Sequence, residues 1–227
     1  MNIKHHPDES TLFAYAAGTL DEAFALVVSC HLEVCPSCRE AVKVAEQVGG
    51  ASLDLCKETA VDNGSFGRLL EKISAEKSAL KKSSPEEAAP QHVHKKLGWP
   101  ELPATLEQYL DVPLSEVKWK RAGPGVWQKP IKLSDGANSS LRLLRISPDR
   151  KVPEHGHGGQ EMTLILRGCY QDEIGDFGAG DVADLDEDVE HQPHVVSGED
   201  CICLAATEAA TRFKGIAGRL LQPIVGI

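Results

Sequence analysis

Two cysteines and two histidines near the start of the chain have the types and spacing of a closed metal site. Cys35 and Cys38 form a C-x2-C pair, and His31 precedes them by one helical turn in the pattern H-x3-C-x2-C. Thiolates and imidazoles suit the borderline-soft zinc ion, and four protein ligands leave no open position for catalysis. We predict a structural zinc site formed by His6, His31, Cys35 and Cys38, with His5 as a competitor for the position of His6.

Two alternatives compete with this interpretation, a surface C-x2-C with unrelated histidines and a thioredoxin-like redox motif. The redox motif requires a βαβ pattern, which the sequence around Cys35 lacks. Pro36 favours the interpretation as a zinc site, because it helps to turn the chain so that Cys38 returns to the position where His31 and Cys35 meet. Cys30 and Cys56 are expected to pack as small apolar residues.

A second cluster lies in the C-terminal half, where the pattern is His155-x-His157-x3-Glu161. In a strand the two histidines share a face, and Glu161 can reach the same cavity after a turn at Gly158-Gly159. His191 would complete a site of three histidines and one carboxylate. Neutral imidazoles and one carboxylate suit zinc, iron, manganese or nickel, so the spacing leaves the ion open.

The surroundings of this second cluster leave alternatives open. His194 is an alternative to His191 as the fourth ligand, and the histidines could also have a purely structural role in a β-fold without binding metal. Cys201 and Cys203 share one face of a late strand and are expected to be core thiols, with redox sensing as the alternative. Cys169 is not assigned to either role. The acidic run at residues 172–190 is expected to be a solvated loop face.

The first cluster requires helices to position it. Apolar residues recur at helical spacing around Leu12 and again between Leu20 and His31, with a break at Gly18 and a cap at Thr19 or Asp21. Pro36 can open a third helix over residues 37–48, which Gly49-Gly50 would end. A fourth helical pattern follows Asn63-Gly64, with apolar positions at Phe66, Leu69, Leu70, Ile73 and Leu80.

The second cluster requires β-structure. Short β-type runs separated by turn signals predict an antiparallel sandwich or small barrel, and they lie at residues 117–119, 126–127, 141–146, 162–166 and 201–204. A lysine- and proline-rich stretch that contains His92 and His94 is typical of a linker between domains, and we place this linker at residues 86–103. We therefore expect an α+β multidomain protein, with a helical zinc-binding domain at 1–85 and a β domain at 104–227.

The composition of the chain limits the classes of partner that it can bind and the compartment in which it acts. The 227-residue chain carries a net charge of -10, which argues against direct nucleic-acid binding and is compatible with a basic protein partner. It has neither a run of roughly twenty apolar residues nor an apolar signal core, so we expect a cytoplasmic protein without membrane association. In a reducing cytosol the seven cysteines indicate metal ligands and buried thiols rather than disulfides.

Together these motifs resemble a known family. The first motif, with the flanking text Leu12-x2-Tyr15-Ala-Ala-Gly18-x-Leu20, is similar to the zinc-binding anti-sigma domain of bacterial anti-sigma factors. The second, with Gly168, matches the first cupin motif H-x-H-x3-E-x6-G, although the proline-glycine pair usual before the histidine of the second cupin motif is missing. The whole chain resembles ChrR-type anti-sigma factors, which join these two domains.

The resemblance implies a regulator that is not an enzyme. It implies zinc at both sites and a one-to-one complex of the helical domain with an extracytoplasmic-function sigma factor, which blocks the contact of that factor with RNA polymerase. It also implies that the cupin-like domain senses singlet oxygen and organic hydroperoxides and promotes release.

The main alternative is a cupin metalloenzyme, for example a dioxygenase or isomerase, with an accessory zinc domain. One zinc and one redox-active metal per chain would favour that enzyme, whereas two zinc ions would favour the regulator. A DNA-binding zinc module joined to a small-molecule sensor is a third option, against which the acidic charge and the absence of a basic helix count.

Overall fold

The structure, a computed structural model, describes residues 2–80, 102–110, 112–210 and 212–213. The helices are α1 (Glu9–Ala16), α2 (Glu22–Leu32), α3 (Pro36–Asp54), α4 (Ser65–Leu80) and α5 (Ala104–Glu107), with a 3-10 turn at Leu114–Glu116. The strands are β1 (Lys120–Gly123), β2 (Val126–Ile131), β3 (Ser140–Ile146), β4 (His155–Gly156), β5 (Glu161–Arg167), β6 (Cys169–Gln171), β7 (Asp176–Gly178), β8 (Val182–Leu185), β9 (Glu190–His191), β10 (His194–Val195), β11 (Cys201–Thr207) and β12 (Arg212–Phe213). None of the helices in these ranges has the length and apolar character needed to span a membrane.

The first two helices begin and end where local chemistry favours it. Gly18 has a φ of +68°, a conformation that glycine adopts without a Cβ clash, and it follows the end of α1. Asp21 is the N-cap of α2, where its carboxylate accepts a hydrogen bond from the backbone N–H of Ala23. Of the two caps that the sequence offered, the structure therefore uses Asp21.

The third helix is longer than the sequence predicted. The expected end at Gly49-Gly50 is wrong, because α3 continues through both glycines to Asp54. Neither glycine has the positive φ of a helix C-cap, so each occupies an ordinary helical position. A glycine inside an exposed helix costs about 1 kcal/mol relative to alanine, which lowers helix stability without forcing an end.

The C-terminal half is antiparallel β-structure, as the sequence predicted. One sheet has six strands in the order β1-β2-β3-β11-β5-β8, and two smaller sheets have the orders β10-β6-β7 and β12-β4-β9. One expected strand is misplaced: residues 117–119 lie outside the strands, and β1 begins at Lys120, where pairing with Gln128 of β2 supplies its ladder. Residues 86–101 of the predicted linker, with His92 and His94, lie outside the described residues. The predicted domain boundaries therefore stay predictions.

The central strands β5 and β11 of the six-stranded sheet are buried on both faces. On β11, Cys201 and Cys203 point to one core, which they share with Tyr170 and Phe177 of the smaller sheets. The alternate residue Leu204 points to the opposite core, as the two-residue period of a strand requires. That second core contains the apolar residues of α2 (Phe24, Val27 and Val28) together with Leu102, Leu106 and Leu110 from around α5.

The N-terminal helices therefore pack on the β-domain. Among the described residues, those up to 49 and those from 102 onward cluster as one compact unit, and residues 50–80 belong to another. In the first unit, Glu33 at the end of α2 accepts backbone hydrogen bonds from Ala104 (2.9 Å) and Thr105 (2.7 Å). Asp21 likewise accepts one from Asn138 at 3.0 Å. In the second unit, α4 exposes an apolar face formed by Phe66, Leu69, Leu70 and Ile73.

Candidate metal centres

Four side chains converge near the N-terminus into a group that we name the first cluster, consisting of His6, His31, Cys35 and Cys38. One ligand atom of each lies within 4.8 Å of the others. His31 Nε2 lies 3.3 Å from Cys38 Sγ, and His6 Nδ1 lies 3.4 Å from Cys35 Sγ. Around a tetrahedral zinc, nitrogen and sulfur ligands would be about 3.5 Å apart, given typical bond lengths. The residues therefore fit a metal ion of this kind.

Helix geometry brings these ligands together. His31 lies in the last turn of α2, and the backbone N–H of Cys35 still bonds to the carbonyl of His31 at 3.0 Å, so the two residues share a face. Pro36 opens α3 and places Cys38 in its first turn. His6 arrives from the extended segment before α1 and is the exposed member, whereas the other three are buried.

Burial controls the protonation of the first cluster in the metal-free chain. Desolvation lowers the pKa of His31 to about 4, so its imidazole is neutral at physiological pH. Burial, helped by a hydrogen bond with Cys35, raises the pKa of Cys38 to about 12. Because metal binds the thiolate and the neutral imidazole, binding must release thiol protons but need not deprotonate His31.

The β-domain supplies the hydrogen-bond partner that orients His31. Its Nδ1 lies 2.9 Å from the backbone oxygen of Gly180, in the turn between β7 and β8. An Nδ1–H that donates to this carbonyl leaves Nε2, the atom that faces Cys38, free of a proton. The tautomer suited to metal binding is therefore set by a residue 149 positions away along the chain.

The next residue of the same turn holds the segment that carries His6. Asp181 is 2% exposed, and its Oδ1 accepts backbone hydrogen bonds from Lys4 at 2.6 Å and His5 at 3.0 Å. Its Oδ2 accepts from the N–H of Gly178 at 2.8 Å, which ties the turn to itself. Val182 N–H also donates to the carbonyl of His5 at 3.2 Å. The start of the chain is thereby fastened along the edge strand β8.

A neighbouring carboxylate repeats this role. Asp184 on β8 accepts hydrogen bonds from the hydroxyl of Thr11 at 2.8 Å and from the backbone N–H of Asp8 at 3.1 Å. Its other oxygen accepts from the amide of Gln160 at 2.8 Å. The expectation that residues 172–190 are only a solvated loop face is wrong for Asp181 and Asp184, because both bind the N-terminal segment.

A second cluster, formed by His155, His157, Glu161 and His191, lies inside the β-domain. All four are buried, and their ligand atoms lie within 4.8 Å of one another. His191 Nε2 lies 3.1 Å from His155 Nε2 and 3.3 Å from His157 Nε2. Nitrogen ligands are about 3.3 Å apart around a tetrahedral zinc and closer in an octahedral site. The group fits a divalent metal ion without selecting one.

Strand pairing assembles the second cluster. His155 on β4 pairs directly with His191 on β9, and Glu161 opens β5 after the turn that follows His157. His155 Nδ1 lies 2.8 Å from the carbonyl oxygen of Pro153. His191 Nδ1 lies 2.9 Å from Asp172 Oδ2, whose side chain is fully buried. Both contacts leave Nε2 for the metal.

Electrostatic interactions keep Glu161 and His155 of this cluster in the protonation states that metal binding requires. Burial alone would raise the pKa of Glu161, but a hydrogen bond from His157 and the neighbouring histidines outweigh it and lower the pKa to about 2. Desolvation lowers the pKa of His155, which favours its neutral form. At neutral pH the cluster thus offers one carboxylate and, at His155, a neutral imidazole. Sequence reasoning missed Asp172, because an acidic run does not show which carboxylate turns inward.

The competing histidines lie outside both clusters. The ring of His5 packs against Phe177 in a tilted arrangement with centroids 4.3 Å apart, and His194 is half-buried on β10 opposite Gln171. Cys201 and Cys203 are buried, and burial raises the pKa of both thiols, which makes them poor nucleophiles in this conformation. These two cysteines therefore behave as core thiols here.

Comparison with known proteins gives consistent results. A family model described as the ChrR cupin-like domain matches residues 107–211. The anti-sigma-E factor ChrR of Cereibacter sphaeroides is 38% identical over 227 residues, which covers 100% of both chains. The crystal structure of Rhodobacter sphaeroides SigE in complex with the anti-sigma ChrR matches with a TM-score of 0.72 and 37% identity, and the match covers 91% of this chain and 100% of that one. The predicted cupin-like fold is thus confirmed.

Proposed function

The chain belongs to the family of the anti-sigma factor ChrR, and from this premise we propose that it is itself an anti-sigma factor. It binds an extracytoplasmic-function sigma factor in a one-to-one complex and keeps that factor from RNA polymerase. The full-length similarity to ChrR carries this proposal, because it spans both the helical region and the β-domain. Because its partner acts in the cytoplasm, we place the protein there.

The exposed apolar face of α4 supports a protein partner. Phe66 is 71% exposed, and the neighbouring Leu69, Leu70 and Ile73 are exposed on the same helix. Contiguous apolar surface of this kind marks a site of interaction with another macromolecule. The net charge of -10 favours a protein partner over nucleic acid.

We assign zinc to both clusters, with different roles. In the first cluster, two thiols and two imidazoles match the preference of structural zinc, which would hold α2, α3 and the start of the chain together. In the second cluster, the metal completes a buried sensor site. Singlet oxygen or organic hydroperoxides act on the β-domain and promote release of the sigma factor.

The regulatory hypothesis is favoured over the metalloenzyme hypothesis. The relative with full-length similarity is an anti-sigma factor, a regulatory protein rather than an enzyme. The second cluster occurs as part of this chain-wide similarity and not as an isolated motif.

The proposal is tested with the full chain and the extracytoplasmic-function sigma factor of the same genome that is most similar to the SigE of the matching complex. Run-off transcription by RNA polymerase with this sigma factor should stop when the chain is added in equimolar amount. A chain carrying Cys35→Ser and Cys38→Ser should inhibit poorly, whereas one carrying Cys56→Ser, an exposed cysteine outside the cluster, should inhibit fully. Undiminished transcription in the presence of the zinc-loaded wild-type chain would refute the proposal.

A further inference from the structure

A cavity of about 80 Å³ adjoins the second cluster. Its lining is apolar at Val126, Leu144, Ile146, Val152, Pro193 and Cys203, and polar at His155, Glu161, Thr163, Tyr170 and His191. One water molecule needs about 10–15 Å³, and an engineered cavity of about 150 Å³ binds benzene. The space therefore suits a molecule of about three to five non-hydrogen atoms on this scale.

The hydroxyl of Tyr170 has no hydrogen-bond partner among the described residues. The residue is only 3% exposed, and its ring stacks on Phe177 with centroids 5.0 Å apart, so it is fixed at the cavity wall. A buried polar group without a partner is rare in native proteins, so this hydroxyl is open to an atom of a ligand or of a water molecule.

The chemistry of Tyr170 indicates what that atom is. Desolvation, followed by the negative charge of Asp172, raises the pKa of the phenol well above its usual range. The hydroxyl therefore stays protonated at neutral pH and is available as a donor. A partner that accepts a hydrogen bond, such as a carboxylate oxygen, would satisfy it.

The charges around the cavity favour an anion. A divalent metal with the carboxylate of Glu161 and three neutral imidazoles leaves a net charge of +1. Arg142, which interacts electrostatically with Glu161, and Asp172, which bonds to His191, offset each other. One negative charge would thus neutralise the site, while the apolar wall excludes a strongly hydrated partner.

We propose that this cavity binds a small monocarboxylate with a short aliphatic body, whose headgroup accepts a hydrogen bond from Tyr170 at the second cluster. The inference rests on the proposed metal site in that cluster. It gives the β-domain a small-molecule ligand in addition to the oxidant response. Propionate has the matching size and charge and serves as the probe, and octanoate is too long for the cavity.

The test is isothermal titration of the zinc-loaded full chain with propionate and with octanoate. Propionate should bind the wild type and raise its unfolding temperature, whereas octanoate should not bind. Tyr170→Phe should weaken propionate binding at least tenfold without lowering the unfolding temperature of the ligand-free protein, because the hydroxyl that it removes has no partner. Tyr109→Phe, at a partly exposed tyrosine outside the cavity, should bind like the wild type.

Three results would overturn the proposal: no propionate binding by the zinc-loaded chain, equal affinity in Tyr170→Phe, or equal affinity for octanoate. In the first case a water molecule alone satisfies the hydroxyl. A transcription assay on the same preparation separates this failure from that of the anti-sigma function. A chain that inhibits transcription but ignores propionate refutes only the ligand, and one that binds propionate without inhibiting refutes only the function.

Discussion

Replacing Asp181 by alanine should loosen the first cluster, although Asp181 is not one of its members. Its buried carboxylate accepts backbone hydrogen bonds from Lys4, His5 and Gly178. Hydrogen bonds to a charged group contribute about 1.5–3 kcal/mol each, and they are not additive. Lys4 and His5 lie in a partly exposed segment and can bond to water after the change. We therefore expect the free energy of unfolding to fall by about 3 kcal/mol.

The same change should weaken zinc binding at the first cluster. Asp181 fixes the segment that carries His6, and it anchors the turn whose Gly180 carbonyl orients His31. Loss of such supporting contacts lowers metal affinity by about 10–100-fold. Asp181→Asn should have an intermediate effect, because one amide oxygen still accepts from the N-terminal segment while the amide NH₂ meets the N–H of Gly178.

Urea unfolding and zinc competition with a chromophoric chelator measure the two effects. Glu187→Gln is the matched control, because Glu187 is an exposed acidic residue in the next connection, between β8 and β9, and its replacement should change neither quantity. The reasoning would be refuted if Asp181→Ala kept the zinc affinity of the wild type and its free energy of unfolding differed from the wild-type value by less than about 0.5 kcal/mol. A change of that size is typical of an ordinary surface substitution.

Three further predictions concern the cores, the clusters and pH. His155→Ala should lower the zinc content by one ion per chain and leave sigma binding intact, as measured by metal analysis and pull-down; loss of sigma binding would contradict separate roles for the clusters. Phe24→Ala should lower the free energy of unfolding in urea by about 3–5 kcal/mol, because Phe24 is 1% exposed. Phe66→Ala, at an exposed position, should leave the stability unchanged and weaken sigma binding. The reverse pattern would contradict the assigned surfaces. In EDTA, His31 stays neutral in the native chain down to its pKa of about 4, whereas in the unfolded chain it takes up a proton near pH 6.5. The free energy of unfolding should therefore fall by up to about 3 kcal/mol as the pH drops from 6.5 to 4. A rise in the free energy of unfolding over this range would refute the predicted sign.

Local patterns carried most of what the sequence could predict. The i, i+4 relation of His31 and Cys35 and the two-residue spacing of His155 and His157 fix shared faces directly, because helix and strand periods are regular. The helix end expected at Gly49-Gly50 failed, since glycine lowers helix stability without dictating a stop.

Long-range contacts were the part that the sequence did not reveal. The partners of Asp181 lie 176 and 177 residues away, and no local spacing relates such positions. The packing of α2 on the outer face of the six-stranded sheet is a similar case, because an apolar helix face shows that it will be buried but not against which element. Asp172 was missed for the same reason within the β-domain.

The most direct test of the central claim is whether the zinc-loaded full chain forms a one-to-one complex with its sigma factor and abolishes run-off transcription. We predict a complex with a single copy of each protein on gel filtration, inhibition at equimolar ratio, and loss of both after zinc is removed from the first cluster. A zinc-loaded, folded chain that neither comigrates with the sigma factor nor reduces transcription would contradict the account.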